Sequence, residues 1–314
     1  MSRELAVSVV IPVYNEEANV QEMHARLAAS MDGDAEFIFV DDGSTDQTYQ
    51  RLTEVARCDA RVRLIRFRRN FGQTAALSAG IDHARGRIIV PMDGDLQNDP
   101  RDIPRLLAKL DEGYDVVSGW RVHRQDPFHR RLPSVIANRL VSWISGVRLH
   151  DYGCSLKAYR RDVLSDVRLY GEMHRFVPIY ASWQGARVTE LPVDHHARTR
   201  GKSNYGIERT VKVILDLIVV KFLSSYATKP IYVFGGFGLF SLFLSFLTFC
   251  WMLYYKVTGA KDFVQTPLPL VVVVLLLVGC LSVLLGLVAE LTIRTYYESQ
   301  GKRTYAIRES EEGP

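Results

Sequence analysis

Up to about residue 225 short apolar runs alternate with amphipathic stretches and polar breaks, and beyond it two long uncharged runs take over. Residues 5–12, Leu-Ala-Val-Ser-Val-Val-Ile-Pro, are almost continuously apolar, the mark of a strand buried on both faces of a parallel sheet. Similar runs predict strands at 36–40, 62–67, 87–90 and 116–118, and an edge strand at 188–193. Helices are expected between them. Asn15 reads as an N-cap followed by the acids Glu16 and Glu17, which suit a first turn. Ser44 with Gln47 spells a capping box for the second helix. Asn70-Phe71-Gly72-Gln73 leads into an Ala-rich helix through about Ala84, Pro100 opens another that runs to about Glu112, and a further helix is expected from Ser134 to about Ile144. Strand and helix alternating at this spacing mean βαβ units and a doubly wound, mostly parallel α/β sheet.

The two uncharged runs extend from Pro230 to Tyr255, between Lys229 and Lys256, and from Phe263 to Ala289, between Asp262 and Glu290. Each exceeds the ~20 residues that cross ~30 Å of hydrocarbon. Tyr232, Trp251, Tyr254, Tyr255, Tyr296 and Tyr297 lie near their ends, as in an interfacial aromatic belt. Just before them, Ile207, Val211, Ile214, Leu215, Ile218 and Phe222 recur at helical spacing among Arg209, Lys212 and Lys221. That pattern predicts an amphipathic helix in the headgroup layer, holding the carboxyl edge of the sheet toward the bilayer. The expected organisation is an α/β domain over 1–203, a juxtamembrane helix over 204–229, spans over 230–255 and 263–289, and a tail over 290–314. No signal peptide is expected, because Met1-Ser2-Arg3-Glu4 runs straight into a strand. Basic residues flank the pair of spans, whereas their connecting loop holds only Lys256 and Lys261. This bias predicts a multi-pass protein of the inner (cytoplasmic) membrane with the α/β domain and both termini cytoplasmic. Gly235, Gly236, Gly238, Gly279 and Gly286 permit close helix packing, compatible with a homo-oligomer.

Composition changes this picture little. Among 314 residues 47% are hydrophobic and 24% charged, and the net charge of +4 is too mild to point to nucleic acid; anionic lipid is the better match. The four cysteines have neither a disulfide-framework nor a zinc spacing, which fits a reducing compartment.

The candidate chemistry is carried by acids. Asp41-Asp42 and Asp93-Gly94-Asp95 both follow predicted strands, at the carboxyl ends where such sheets bind ligands. Two carboxylates one residue apart repel each other and cost desolvation, unless a hard divalent cation sits between them and a polyphosphate. Oxygen ligands without nearby His or Cys favour Mg²⁺ or Mn²⁺ over Zn²⁺. A plain Asp-Gly turn is the bland alternative. Neither G-x-G-x-x-G nor G-x-x-x-x-G-K-[ST] occurs, which argues against a dinucleotide site or a P-loop. Between Gly119 and Pro133, Arg121, His123, Arg124, His129, Arg130 and Arg131 crowd an aperiodic stretch; it is either a solvated loop or a receiver for phosphate. His195-His196, without a third ligand at metal spacing, is weak as a metal site.

Ile11-Pro12-Val13-Tyr14-Asn15-Glu16, Val40-Asp41-Asp42-Gly43-Ser44-Thr45-Asp46, Asn70-Phe71-Gly72-Gln73 and Met92-Asp93-Gly94-Asp95-Leu96-Gln97 resemble the nucleotide-sugar signatures of glycosyltransferase family 2, which has a GT-A fold. Asp151-Tyr152-Gly153-Cys154 and Arg198-Thr199-Arg200-Gly201-Lys202-Ser203-Asn204-Tyr205 resemble the branch that glycosylates polyisoprenyl phosphates, including bactoprenol glucosyltransferases and dolichyl-phosphate mannose synthases. The resemblance covers nearly the whole chain. It implies a nucleotide-sugar pocket of Pro12, Tyr14, Glu16, Asp41, Asp42, Gln73, Asp93, Gly94, Asp95 and Gln97, with Asp42 at the base and Asp93 at the ribose or sugar. It further implies a metal, Mg²⁺ or Mn²⁺, on Asp95 and Gln97, and a reacting centre that holds Asp93, Asp95 and Asp151. The acceptor phosphate would meet Arg121, Arg131, Ser134, Arg200 and Lys202.

The activity expected from this is metal-dependent, inverting transfer of one sugar to undecaprenyl or a similar phosphate, with UDP-glucose as first donor and UDP-aminoarabinose, UDP-N-acetylhexosamine and GDP-mannose open. A processive polysaccharide synthase of the same superfamily is one alternative, although no tryptophan here follows an arginine as in its acceptor motif. A non-catalytic membrane scaffold on a transferase fold is another, opposed by the intact acids at 42, 93, 95 and 151.

Overall fold

A computed structural model describes residues 5–31, 33–122, 138–139, 141–143, 145–165, 173–196, 230–259 and 261–299. The chain forms two compact units, Met1–Leu217 and Ile218–Pro314. In the first, the elements run β1 (Val7–Val13), α1 (Val20–Ser30), β2 (Ala35–Asp41), α2 (Thr48–Cys58), β3 (Val62–Arg66), α3 (Gln73–His83), β4 (Ile88–Pro91), α4 (Ile103–Asp111) and β5 (Val116–Arg121). There follow β6 (Lys157–Arg160), α5 (Arg161–Ser165), α6 (Val177–Trp183) and β7 (Val188–Val193).

The strands make one seven-stranded sheet, ordered β3-β2-β1-β4-β6-β5-β7. The strands β1–β4 pair in parallel, and β5 pairs in parallel with β7 at the edge. Between these blocks β6 runs antiparallel to both β4 and β5, a strand absent from the reading of the sequence. Because β6 is reversed, its first residue, Lys157, lies at the edge where the other strands end, paired with Ser118 of β5.

Alternate residues of each central strand feed opposite cores. Val7, Val9, Ile11 and Val13 join Phe37 and Phe39 under α1, α2 and α4, while Val10, Ile38 and Val40 pack beneath α3, α5 and α6. Phe37 and Phe39 are wholly buried, each contributing about 1.5–3 kcal/mol of transfer free energy. Covering both faces is what a parallel sheet requires, and it explains the unbroken apolar runs in the sequence.

Two expected caps are not formed. The first helix begins at Val20, after Asn19, rather than at Asn15. Asn15 instead takes a left-handed backbone (φ 55°) and accepts from the Thr45 amide at 2.9 Å. The Ser44–Gln47 capping box is also absent. Ser44 Oγ accepts from the Asn15 amide, the Gln47 amide donates to Glu17, and Asp46 Oδ1 takes the Thr48 amide at the start of α2. Both local capping sets are diverted into bonds that join the loops after β1 and β2. Pro100 opens a 3-10 turn, Pro100–Asp102, that leads into α4 as expected.

In the second unit the described residues form two α-helices, α7 (Ile231–Val257) and α8 (Leu268–Ser299), both long and apolar enough to cross a membrane. The second starts later than the pattern predicted, since Phe263–Gln265 forms a 3-10 turn capped by Asp262, and it continues past Glu290. A Cβ on Gly238 would meet Val283 Cγ2 at 2.7 Å and one on Gly279 would meet Leu242 at 2.7 Å. The glycines thus serve close packing of α7 on α8. The juxtamembrane helix expected over 204–229 and the tail from 300 lie outside the described residues, as do Arg131, Ser134, Arg200 and Lys202.

Candidate active site

Four loops gather at one edge of the sheet because β1, β2, β4 and β5 all end there. The loop after β2 carries Asp41 and Asp42, both buried. Asp41 holds its own turn: Oδ1 accepts from the Ser44 amide at 3.0 Å, and Oδ2 lies 3.4 Å from Arg66 Nε, an ion-pair contact rather than an aligned hydrogen bond. Asp42 reaches across to the loop before α3, where its two oxygens accept from the Phe71 and Gly72 amides at 2.7 and 2.9 Å. Gly43 makes this reach possible, because a Cβ there would lie 2.5 Å from the Arg69 backbone and its φ is +71°. The next residue, Gln73, begins α3 and donates its amide to Asp93 Oδ1 at 2.6 Å. A chain of bonds therefore ties the end of β2 to the acids after β4.

Those acids sit on a tight loop. Asp95 Oδ1 accepts from the Gln97 amide at 3.1 Å, an Asx-type turn. The loop is clasped from the far side by the segment after β7: Asn98 bridges His195, the His196 amide donates to Gln97 O at 2.9 Å, and His196 Nε2 meets Asp99 Oδ2 at 3.2 Å. The forked hydrogen bonds from Arg101, with the help of His196, hold the Asp99 carboxyl well below its ordinary pKa. Gly94 lies against β1. A Cβ there would approach Val13 Cγ1 to 2.7 Å and Ile11 Cγ2 to 3.4 Å, and β-branched neighbours in a strand yield little. Gly94→Ala is thus expected to lower turnover about tenfold or more with a stability loss of about 1–3 kcal/mol from overpacking; steady-state rates and thermal melting check both, and wild-type values for each would refute the constraint.

At the end of β5, Arg121 forms a fork with Asp151, with Nε to Oδ2 at 2.6 Å and Nη2 to Oδ1 at 2.9 Å. Asp151 also accepts from the Gly153 amide at 3.1 Å. Asp151 is buried and Arg121 half-buried, with side-chain exposures of 3% and 15%. Burial opposes the guanidinium charge, but the hydrogen bonds and charge of Asp151, with a contribution from Asp93, outweigh it and raise the Arg121 pKa. Beside this pair the rings of Trp120 and His150 stack at 4.3 Å.

Pro12, Tyr14 and Glu16 stand at the rim beyond β1: Pro12 and Glu16 are half-buried and Tyr14 is exposed. The Glu16 amide donates to Thr48 Oγ1 and its carboxylate accepts from Asn19, so this acid also organises its loop. Among the described residues no group of three or more His, Cys, Asp or Glu side chains has metal-binding geometry. The carboxylate of Asp95 and the amide of Gln97 are oxygen donors that suit a hard cation sharing its shell with phosphate oxygens, the usual arrangement for Mg²⁺. The free cysteines Cys58, Cys154, Cys250 and Cys280 form no disulfide.

Three residues that line a pocket beside these acids were not foreseen from the sequence. Lys157 at the start of β6, and His174 and Arg175 before α6, line a pocket with Gln73, Asp93 and Gly153. Thr74 Oγ1 holds His174 Nδ1 at 2.7 Å. A lysine inside the apolar run Leu156-Lys157-Ala158-Tyr159 was the available signal. Its fate depends on the reversed strand.

Comparison with known proteins accords with this geometry. A family profile described as "Glycosyl transferase family 2" matches residues 8–168. The dodecaprenyl-phosphate galacturonate synthase of Rhizobium johnstonii is 44% identical, with 98% of this chain and 93% of that protein covered. The undecaprenyl-phosphate 4-deoxy-4-formamido-L-arabinose transferase of Shewanella sediminis is 37% identical, over 96% of this chain and 92% of that protein. Among solved structures, glucosyl-3-phosphoglycerate synthase from Mycobacterium tuberculosis, in complex with Mn²⁺, UDP and glucosyl-3-phosphoglycerate, superposes with a TM-score of 0.54 at 20% identity, covering 70% of this chain and 80% of that one. At that identity the likeness bears on fold alone, and it is the GT-A fold.

Proposed function

Because this chain belongs to glycosyl transferase family 2, we propose that it moves a single sugar from a nucleotide sugar onto a polyprenyl phosphate, inverting the anomeric centre. The observation that carries the reading is the pairing of two half-sites on one sheet edge: the acid loop Asp93–Gln97 after β4 and the Arg121–Asp151 fork at the end of β5. The first suits a donor diphosphate, the second an anionic acceptor. Full-length relatives named for polyprenyl-phosphate substrates support the same acceptor class.

A phosphate monoester has a second pKa of about 6, so near neutral pH the acceptor already carries its nucleophilic oxyanion. Asp151 then has no proton to remove. Its role is to hold Arg121 charged and oriented toward the acceptor, and a negative charge near the anomeric carbon favours the developing cation. The remaining acceptor-phosphate ligands in this reading are Arg131, Ser134, Arg200 and Lys202. On the donor side Asp42 and Gln73 keep the loop before α3 and Asp93 in register, and Tyr14 and Glu16 stand where a base and ribose would enter. Asp95 and Gln97 would hold Mg²⁺ or Mn²⁺, which when bound neutralises the departing diphosphate as a Lewis acid. UDP-glucose was the donor first expected; relatives named for galacturonate and formamido-arabinose make acidic and aminodeoxy sugars its competitors. The apolar helices α7 and α8 support a membrane anchor, with both termini and the catalytic domain cytoplasmic by the charge bias of the flanks.

Full-length protein in detergent with Mg²⁺ or Mn²⁺ should release nucleoside diphosphate only when polyprenyl phosphate is supplied. Polymer formed without acceptor, or no turnover with any nucleotide sugar, would overturn the reading.

A further inference from the structure

The pocket beside Asp93 has a charge pattern that a neutral sugar does not call for. It encloses about 60 Å³, and Lys157, His174 and Arg175 converge on it. Among the described residues Asp93 is the one carboxylate in its wall, and that group is already engaged by Gln73 at 2.6 Å. Apolar side chains of Leu77 and Tyr159 complete the lining. Lys157 is 2% exposed. Its ammonium donates to the Tyr152 carbonyl at 3.1 Å, and its other two N–H bonds have no acceptor among the described residues. Burying an ammonium with one of three donors satisfied is costly, and a bound anion would recover that cost.

Resting on the transferase reading above, we propose that this pocket reads a carboxylate on the donor sugar, with Lys157 and Arg175 as its partners, so that the donor is a nucleotide-linked uronic acid. Hydroxyl groups of a neutral hexose are served by amides, which donate and accept, and by carboxylates, which accept. A buried ammonium beside a guanidinium is instead complementary to two oxyanion oxygens. The acceptor phosphate is a poorer occupant. It must present an oxygen to the anomeric carbon while its other side leads away to a long lipid, whereas the carboxylate of a uronic acid terminates its hexose and leaves no chain to accommodate. Burial pushes the Lys157 ammonium down to about 8, with Arg121 and Arg175 opposing its charge and Asp151 supporting it. A carboxylate beside it would keep it protonated at neutral pH.

The test uses full-length protein in detergent with polyprenyl phosphate and four donors: UDP-galacturonate, UDP-glucuronate, UDP-galactose and UDP-glucose. At least one uronate should exceed its neutral partner in kcat/KM by on the order of 10²-fold or more, because a site built for a charged group rejects the analogue that lacks it. Lys157→Met and Arg175→Gln should each reduce that ratio at least tenfold, chiefly through a higher KM for the uronate, and Lys157→Arg should retain most of it. Arg175 is half-buried, so its variant keeps the test open should Lys157→Met fail to fold. Lipid-linked sugar formed equally well from neutral donors would overturn the inference and leave the transferase reading intact, as would both variants keeping the wild-type ratio. If none of the four donors yields lipid product, calorimetric titration with UDP-galacturonate and UDP-galactose decides the inference, equal affinities overturning it.

Discussion

Asp151→Asn is expected to abolish most turnover, by about 10³-fold or more, and to destabilise the catalytic unit by about 3–5 kcal/mol, the usual cost of leaving one member of a buried ion pair uncompensated. The isosteric change keeps the shape of the side chain but removes the charge that faces the Arg121 fork. It also weakens the acceptor for Gly153, whose amide lies 3.1 Å from Oδ1. Loss of stability alone could mimic loss of activity, so the decisive comparison is the double variant Arg121→Met/Asp151→Leu. Replacing both partners of a buried pair by apolar groups of similar size is often neutral for stability. The double variant should therefore recover most of the melting temperature lost by Asp151→Asn and still form no lipid-linked sugar. Normal turnover in the double variant would show that the pair is structural only. With a ligand-ready oxyanion on the acceptor, no new base should rescue Asp151→Asn, so raising the pH from 7 to 9 should leave its relative rate unchanged.

Asp95→Asn should cut metal-supported turnover by about 10²–10³-fold, the scale measured when one electrostatic stabiliser of a developing charge is removed. Here the fold is protected. Asp95 Oδ1 accepts from the Gln97 amide, and an Asn side-chain carbonyl accepts that bond equally well, so the Asx turn survives and only the formal charge is lost. Melting temperature and detergent extraction should match wild type. If the defect is weakened cation affinity, titrating Mn²⁺ to tens of millimolar should restore part of the rate. Near-normal activity at low Mn²⁺ would remove Asp95 from the metal-binding role.

The placement of the acids at one sheet edge was legible along the chain. Asp41, Asp42, Asp93 and Asp95 each follow an apolar run, and in a parallel sheet the end of such a run is by geometry the ligand edge. Their individual duties were less legible. Asp42, assigned to the base, has both oxygens engaged by the loop before α3, though each oxygen keeps a second lone pair for a ligand. Asn15 and Ser44 looked like helix caps because capping is a local pattern, yet both side chains found partners about thirty residues away. Lys157 was missed for the opposite reason: nothing local marks a lysine in a short apolar run as a site residue.

The sequence by itself determined six of the seven strands, all but β6, and that two helices are apolar enough for a bilayer. These follow from burial periodicity and length, which act over a few neighbouring residues. Tertiary structure alone decided that β6 reverses, carrying Lys157 to the ligand edge, that Arg121 pairs with Asp151 across 30 residues, and that His174 and Arg175 join Asp93 in one pocket. Those outcomes depend on charges and donors brought together only when the sheet closes, and the cost of leaving them unpaired exists only once they are buried.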